Sequence, residues 1–215
     1  MLKKHLISII SILLLLSFSI TAFAAGFPDV TDDYSWAQDA ISKMSETGVI
    51  SGYPDGTFRP SNGITKIQAM LLISRLLGYN EDVYGPYMND IADNADLSEL
   101  SLTYENEVAF LIYKGIFTKE EIAAEASTLN QPLLRYHVAE YLTRAVGKYT
   151  QVKENYSKAT GYADEAGIPD AYKPFVTYVK DASLMLGTDT TSFSPERQVT
   201  RAQMAVLLMR VITNL

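Results

Sequence analysis

Apolar residues recur at three- and four-residue spacing in several stretches of the chain, the pattern of a helix with one buried face. The first stretch ends before Gly48, a helix stop signal, and carries Trp36, Ala37, Ala40, Ile41 and Met44. The next carries Ile67, Met70, Ile73 and Leu77. Near the end of the chain the spacing returns in Val176, Val179 and Leu184, and then in Ala205, Leu208 and Ile212. The sequence therefore predicts pairs of amphipathic helices.

A loop rich in glycine and proline, SGYPDGTFRPSNGITK (51–66), separates the first two helical stretches. Proline lacks a backbone donor and glycine costs conformational entropy, so this segment suits neither a regular helix nor a central strand. Pro54-Asp55-Gly56 has the residues of a tight turn. We expect Phe58 to anchor the loop in the core.

The loop returns 135 positions later, without a gap, as LGTDTTSFSPERQVTR (186–201). Corresponding positions include Gly52 and Gly187, Phe58 and Phe193, Pro60 and Pro195, and Thr65 and Thr200. The matches fall on turn residues, caps and core positions in one register. We therefore interpret them as an internal repeat.

A looser copy lies between these two. Its segment 133–147 corresponds to residues 64–78, and Asp90 takes the place of Asp29. The glycine-rich loop is replaced by KEEIAAEASTLNQP (119–132). We expect the second helix of this copy to begin early, with Asn130 as its cap and Pro132 in its first turn.

A single helix pair of this size cannot bury its apolar face alone. We therefore predict an all-α fold in which three helix-loop-helix repeats pack as a pseudo-threefold helical bundle. The first copy spans residues 27–78, the middle copy 87–147 and the third copy 162–215. Residues 78–87 and 148–162 are expected to be connections.

A cation occupies the first helical position of the second helix in every copy, as Lys66, Arg135 and Arg201. Capping boxes are predicted beside two of them, formed by Thr65 with Gln68 and by Thr200 with Gln203. A helix start is electropositive and mildly disfavours a cation. Either an anion binds there to the cation and the free N–H groups, or the side chains extend into solvent.

Residues 1–24 have the pattern of a signal peptide, with a basic start, an apolar run and Ala22-Phe23-Ala24 as a cleavage site. An uncleaved membrane anchor is the alternative, because the apolar run is near spanning length. Removal of the leader and its two lysines would leave a net charge of −9, which disfavours nucleic acid and anionic membranes as partners. The absence of cysteine excludes disulfides, thiolate metal sites and a lipid-modified start.

The segments FPDV (27–30) and GYPDGTFRP (52–60), followed by the Thr65-capped helix, resemble the S-layer homology (SLH) domain. The third copy resembles it through FSP (193–195) and VTRAQ (199–203), and the middle copy through its two helices and Arg135. The resemblance implies three tandem SLH copies forming a helical spindle with grooves between them. It also implies binding to the secondary polysaccharide attached to bacterial peptidoglycan, often through a pyruvate ketal.

The resemblance further implies which residues bind the glycan. Arg135 and Arg201 fill the ligand-reading position, and Lys66 replaces arginine in the first copy, where it lacks the planar grip of a guanidinium on a carboxylate. The other expected glycan-binding residues are Asp29, Asp90 and Asp164 in the groove walls, Gly52 and Gly187 beside the sugar, and Trp36 and Tyr53 as flat apolar faces. A buried Trp36 is the alternative.

The sequence contains no catalytic constellation. Carboxylate clusters such as Glu120, Glu121 and Glu125 are interpreted as solvated faces, and neither a metal site nor a cofactor is expected. We therefore expect a secreted, non-enzymatic protein of the cell wall or cell surface (S-layer) that binds wall polysaccharide, with other surface proteins as further partners. Two alternatives stay open: a surface scaffold or assembly subunit that has lost glycan binding and contacts another protein, and, more remotely, a wall-glycan hydrolase.

Overall fold

The computed structural model describes residues 26–94, 97–100 and 102–214. In this part of the chain the α-helices are α1 (Ser35–Glu46), α2 (Lys66–Leu76), α3 (Glu81–Asn94), α4 (Glu105–Tyr113), α5 (Lys119–Glu125), α6 (Arg135–Ala145), α7 (Tyr149–Asn155), α8 (Lys173–Asp181) and α9 (Arg201–Asn214). Short 3-10 helices lie at Asp32–Tyr34, Leu97–Leu100, Ala126–Thr128 and Glu165–Gly167. The described residues form no β-strand, which confirms the predicted all-α class.

None of these helices combines the length and the apolar character that a membrane crossing needs. The predicted leader, residues 1–24, lies outside the described residues.

The apolar stripes form the core with two exceptions. In α1 the buried residues Ala37, Ala40, Ile41 and Met44 follow the predicted spacing. Trp36 is instead 55% exposed and Ile212, in the last turn of α9, is 44% exposed. Each lies next to a buried residue and therefore about 100° round the helix from the buried stripe. The alternative of a buried Trp36 is wrong.

Helices α5 and α7 occupy segments expected to be a loop and a connection, and α3 begins in the predicted connection 78–87 and continues into the predicted middle copy. The sequence signal for α5 is a capping box: the Glu121 N–H donates to Thr118 Oγ1 at 3.2 Å, and the Thr118 N–H donates to Glu121 Oε2 at 2.9 Å. The expected early start of α6 is wrong. That helix begins at Arg135 after Leu134, which makes no side-chain cap.

The helices pack mainly between copies. Helix α2 packs against α4, α6 against α8, and α9 against α1. The second helix of each copy thus contacts the first helix of the next, and the last copy contacts the first. These contacts close a cycle around one continuous core. Pseudo-threefold symmetry itself stays a prediction.

Backbone hydrogen bonds join the start of each second helix to the loop of the following copy. The N–H groups of Lys66, Arg135 and Arg201 donate to the carbonyl oxygens of Gln131 (3.2 Å), Arg197 (3.1 Å) and Asn62 (2.8 Å), respectively. The next N–H of each helix also donates to that loop, at Leu129, Pro195 and Pro60. The first N–H groups of these helices are therefore already bonded within the fold.

Candidate functional site: the grooves between copies

A carboxylate clamp shapes the loop of the first copy. Asp29 accepts the Phe58 N–H at 2.8 Å through Oδ1 and the Arg59 N–H at 2.6 Å through Oδ2. Arg59 is held at φ 57°, in the left-handed region that costs a residue with a Cβ roughly 1–2 kcal/mol. The Phe58 ring is fully buried, which confirms its predicted role as an anchor.

The third copy repeats this clamp. Asp164 accepts the Phe193 N–H at 2.9 Å and the Ser194 N–H at 2.7 Å, and Ser194 has φ 56°. Both carboxylates are therefore engaged in shaping their own loops.

Gly52 and Gly187 lie where each loop passes an aromatic ring. A Cβ at Gly52 would collide with the ring of Phe27, and one at Gly187 would lie 2.8 Å from the Tyr162 ring and 2.5 Å from the Ser192 carbonyl oxygen. Packing within the loop thus requires glycine at both positions. Approach of a sugar to this backbone stays a prediction.

Arg201 extends from α9 into the loop of the first copy. Its Nε donates to the Phe58 carbonyl oxygen and its Nη2 to that of Ser51, both at 2.8 Å. The guanidinium carbon lies 4.8 Å from the centre of the Tyr53 ring. Burial lowers the pKa of the Arg201 guanidinium. Among the described residues, both acceptors of this cation are neutral carbonyl oxygens.

Arg135 makes the corresponding contacts with the third copy. Its Nε donates to the Phe193 carbonyl oxygen at 2.6 Å and its Nη2 to that of Leu186 at 2.8 Å. The residue is only 7% exposed, and burial lowers the pKa of its guanidinium to about 10. Arg135 is therefore still charged at neutral pH.

Lys66 is neutralised by the middle copy. Its Nζ lies 3.1 Å from Glu125 Oε2 and donates to Thr128 Oγ1 at 3.2 Å. Lys66 is 8% exposed. The alternative in which these cations extend into solvent is thus wrong for Lys66 and Arg135.

A cavity of about 190 Å³ opens beside Arg201, between the first-copy loop and α2, and we call it the Arg201 cavity. It brings Gly52, Tyr53 and Arg201 together from the predicted glycan-binding set. Asp29 holds the adjoining loop. Of the remaining predicted residues, Arg135, Asp164 and Gly187 gather around the third-copy loop, and Lys66 lies against Glu125.

Three further residues line the Arg201 cavity that the sequence analysis did not propose as site residues, namely Gln68, Arg75 and Tyr104. The side chain of Arg75 is 30% exposed, and its contact with Glu107 is long, at 3.8 Å. Tyr104 is 36% exposed and has φ 64°. The sequence carried a signal for Arg75, because arginine recurs at the corresponding positions 75, 144 and 210. It carried no such signal for Tyr104, whose place in the cavity depends on packing between copies.

Two predicted residues are not placed in this cavity. Trp36 is exposed on α1 and does not line it. Asp90 belongs to α3, and its side chain lies outside the part of the chain that the structure describes. Within the described ranges, no group of three or more His, Asp or Glu residues could hold a metal ion.

Comparison with known proteins finds matches at both ends of the chain. Residues 26–70 and 161–205 match the model of the S-layer homology domain family. The chain is 34% identical over 135 residues to the outer membrane protein SlpA of Thermus thermophilus, an alignment that covers 56% of this chain and 14% of that protein.

Two other relatives align over more of the chain. The middle cell wall protein of Brevibacillus brevis is 27% identical over 166 residues, covering 74% of this chain and 15% of that protein. The exoglucanase XynX of Acetivibrio thermocellus is 25% identical over 182 residues, covering 85% and 16%. The chain thus spans 14–16% of the length of these three relatives. Residues 26–70 and 161–205 are thus similar to the S-layer homology domain, and a third copy between them stays a prediction.

Proposed function

We propose that the chain anchors non-covalently to the bacterial cell wall by binding a secondary wall polysaccharide with an acidic substituent, such as a pyruvate ketal, in the Arg201 cavity. The S-layer homology segments, together with relatives named as outer membrane and cell wall proteins, place the protein at the cell surface and indicate wall anchoring in general. The acidic glycan and its site are our proposal.

The observation that carries the proposal is the presence of two arginines, Arg201 and Arg75, in a cavity with no carboxylate among the described residues that line it. Arg201 uses Nε and Nη2 on carbonyl oxygens, and none of the described residues accepts a hydrogen bond from its Nη1. A ligand carboxylate between the two guanidinium groups would gain charge-assisted hydrogen bonds, each contributing about 1.5–3 kcal/mol.

The aromatic wall of the cavity is supplied by Tyr104 more readily than by Tyr53. Arg59 covers the Tyr53 ring at 3.9 Å, and Arg201 also lies against it. Tyr104 is 36% exposed and has a strained backbone, and such strain clusters at functional sites. The volume is below the roughly 300–1,000 Å³ of common ligand pockets, so we expect it to take one substituted sugar unit.

Co-sedimentation with purified bacterial walls, before and after removal of the secondary polysaccharide, tests this proposal. Arg201→Ala and Arg135→Ala form a matched pair, because each variant removes two hydrogen bonds to carbonyl oxygens of a neighbouring loop. We expect wild type to pellet only with unstripped walls and Arg201→Ala to lose at least tenfold in affinity. Arg135→Ala measures the part of that loss caused by weakened packing. Equal losses in both variants would contradict the assignment to the Arg201 cavity.

A second candidate function is a surface scaffold subunit that contacts another protein. It is favoured by the ion pair of Lys66 with Glu125 and by the burial of Arg135, which is only 7% exposed, so that the protein itself covers both predicted positions. Pelleting that is unchanged by stripping the polysaccharide would support this candidate.

A further inference from the structure

Arg75 connects the Arg201 cavity with a second cavity of acidic character. The second cavity has a volume of about 300 Å³, and we call it the Glu107 cavity. Its lining includes three carboxylates, those of Glu81 and Asp82 on α3 and of Glu107 on α4. Arg75, on α2, lines both cavities. It therefore lies between the place proposed for a ligand carboxylate and a group of carboxylates that belong to the protein itself.

Glu107 is the carboxylate of this group that forms an ion pair with Arg75. Arg75 Nη2 lies 3.8 Å from Glu107 Oε1, which is beyond the roughly 2.7–3.2 Å of an N–H···O hydrogen bond. The Glu107 side chain is only 13% exposed, whereas that of Arg75 is 30% exposed. The pair is thus held by charge without a close hydrogen bond. An arginine in this position can turn to a better acceptor at small cost.

The two other carboxylates of the Glu107 cavity have different surroundings. Glu81 accepts a hydrogen bond from the Tyr79 hydroxyl and another, at 3.2 Å, from Asn106 Nδ2. Asp82 is exposed, so water and salt screen its charge. Glu107 is therefore the carboxylate that competes most directly for Arg75.

Glu107 is also poised to lose its charge in mild acid. Burial raises the pKa of the Glu107 carboxyl above its ordinary value of 4.5. Its own backbone N–H, at the start of α4, and Arg75 act in the opposite direction, while the charge of Glu81 acts with burial. Arg75 from α2, Tyr79 from the turn that follows it, and Glu81 and Asp82 from α3 are the titratable or charged groups that line the cavity with Glu107.

We propose that Glu107 is a positioning residue that competes with the acidic ligand for Arg75 and thereby sets the affinity of the Arg201 cavity. This inference rests on the proposed function. While Glu107 is ionised, Arg75 divides its charge between this carboxylate and that of the ligand. When Glu107 is neutral, the guanidinium is available to the ligand alone. Protonation of Glu107 and binding of the acidic ligand therefore favour each other by linkage.

NMR titration of the full chain with a methyl glucoside that carries a pyruvate ketal tests this proposal. The uncharged methyl ester of the same compound is the second probe. We expect Glu107→Gln to bind the ketal about threefold to fivefold more tightly than wild type, or about 0.7–1 kcal/mol, because ion pairs of this exposure contribute up to that amount. Binding of the methyl ester should not tighten. Asp82→Asn is the matched control, because it removes a carboxylate from the same cavity, and it should change ketal binding by less than about twofold.

Two further readouts separate competition from a structural effect of the substitution. In an Arg75→Ala background, Glu107→Gln should no longer tighten binding of the ketal, since the two residues act as a pair. Affinity of the wild type should also rise as the pH is lowered from about 7 to about 5, toward that of Glu107→Gln, because acid neutralises Glu107. The affinity of Glu107→Gln itself should change little over this range. Circular dichroism checks that each variant is folded.

The outcomes distinguish this inference from the anchoring proposal. If wild type and Glu107→Gln bind the ketal equally, or if Asp82→Asn tightens binding as much, the competition is overturned and anchoring stands. If neither wild type nor Glu107→Gln binds the ketal, both proposals fall. A carboxyl NMR titration of Glu107 without ligand decides the pairing by itself: the pKa of Glu107 should be higher in Arg75→Ala than in wild type. An unchanged pKa would overturn the inference whatever the wall assay gives.

Discussion

Replacement of Asp29 by alanine tests whether the carboxylate clamp stabilises the fold. Asp29 accepts two backbone hydrogen bonds, from Phe58 at 2.8 Å and from Arg59 at 2.6 Å. Hydrogen bonds to a charged group contribute about 1.5–3 kcal/mol each. The Phe58 amide is partly buried but the Arg59 amide is exposed, so water replaces the second bond at lower cost. The variant also leaves Arg59 in its left-handed conformation without support.

We therefore expect Asp29→Ala to lower the free energy of unfolding by about 3 kcal/mol, somewhat less than the full sum. For a protein of this size, a loss of that amount lowers the melting temperature by about 6–12 °C. Urea denaturation followed by circular dichroism measures the first quantity, and a thermal scan the second. Asp39→Ala is the control, because Asp39 is exposed on α1 and should change stability by less than about 0.5 kcal/mol.

The result that would refute this reasoning is a change in Asp29→Ala no larger than in Asp39→Ala. It would mean that Phe58 burial alone holds the loop. Asp164→Ala provides an independent repetition, since Asp164 makes the same pair of bonds with Phe193 and Ser194.

Three further predictions concern packing, pH and strain. Gly52→Ala should destabilise by about 1–3 kcal/mol in a thermal melt because its Cβ meets the Phe27 ring, whereas Gly26→Ala, with open space around it, should not. Burial lowers the pKa of His137 from 6.5 to about 4, so the unfolded state binds more protons than the folded state between these two pH values. The free energy of unfolding should therefore fall as the pH drops from about 6.5 to 4. In the variant His137→Phe this dependence on pH should be weaker. Tyr104→Gly removes the strain of a positive φ, but glycine has an entropic cost of similar size on folding. The free energy of unfolding should therefore stay within about 1 kcal/mol of the wild-type value, while wall binding measured by co-sedimentation weakens.

The sequence predicted those features that depend on neighbouring residues. The Thr65 capping box follows from Thr and Gln three positions apart and is formed as expected. Burial of Phe58 follows from its being the large apolar residue of a polar loop. Helix α5 carried an equally local signal, the capping box of Thr118 and Glu121, within the segment that the repeat predicted to be a loop.

The roles of the helix-start cations could not be predicted in this way. The acceptors of Arg201 lie 143 and 150 positions away in the chain, and those of Arg135 lie 58 and 51 positions away. No local pattern reports which carbonyl oxygens a packed neighbour presents. The sequence left an anionic ligand and solvent as the two alternatives at the helix start, whereas the fold supplies carbonyl oxygens to Arg135 and Arg201 and the Glu125 carboxylate to Lys66.

Arg201 both joins two copies and lines the proposed binding cavity, and these two roles determine which variants can separate a folding defect from a binding defect. Because Arg201 joins the third copy to the first, its removal weakens packing and the cavity together. Arg75 and Tyr104 line the same cavity, and neither makes a close hydrogen bond from its side chain to another copy among the described residues. The long contact between Arg75 and Glu107 contributes less than about 1 kcal/mol. A loss of wall binding in Arg75→Ala with unchanged unfolding free energy would therefore assign the acidic glycan to this cavity more directly than any variant of the cations first identified from the sequence.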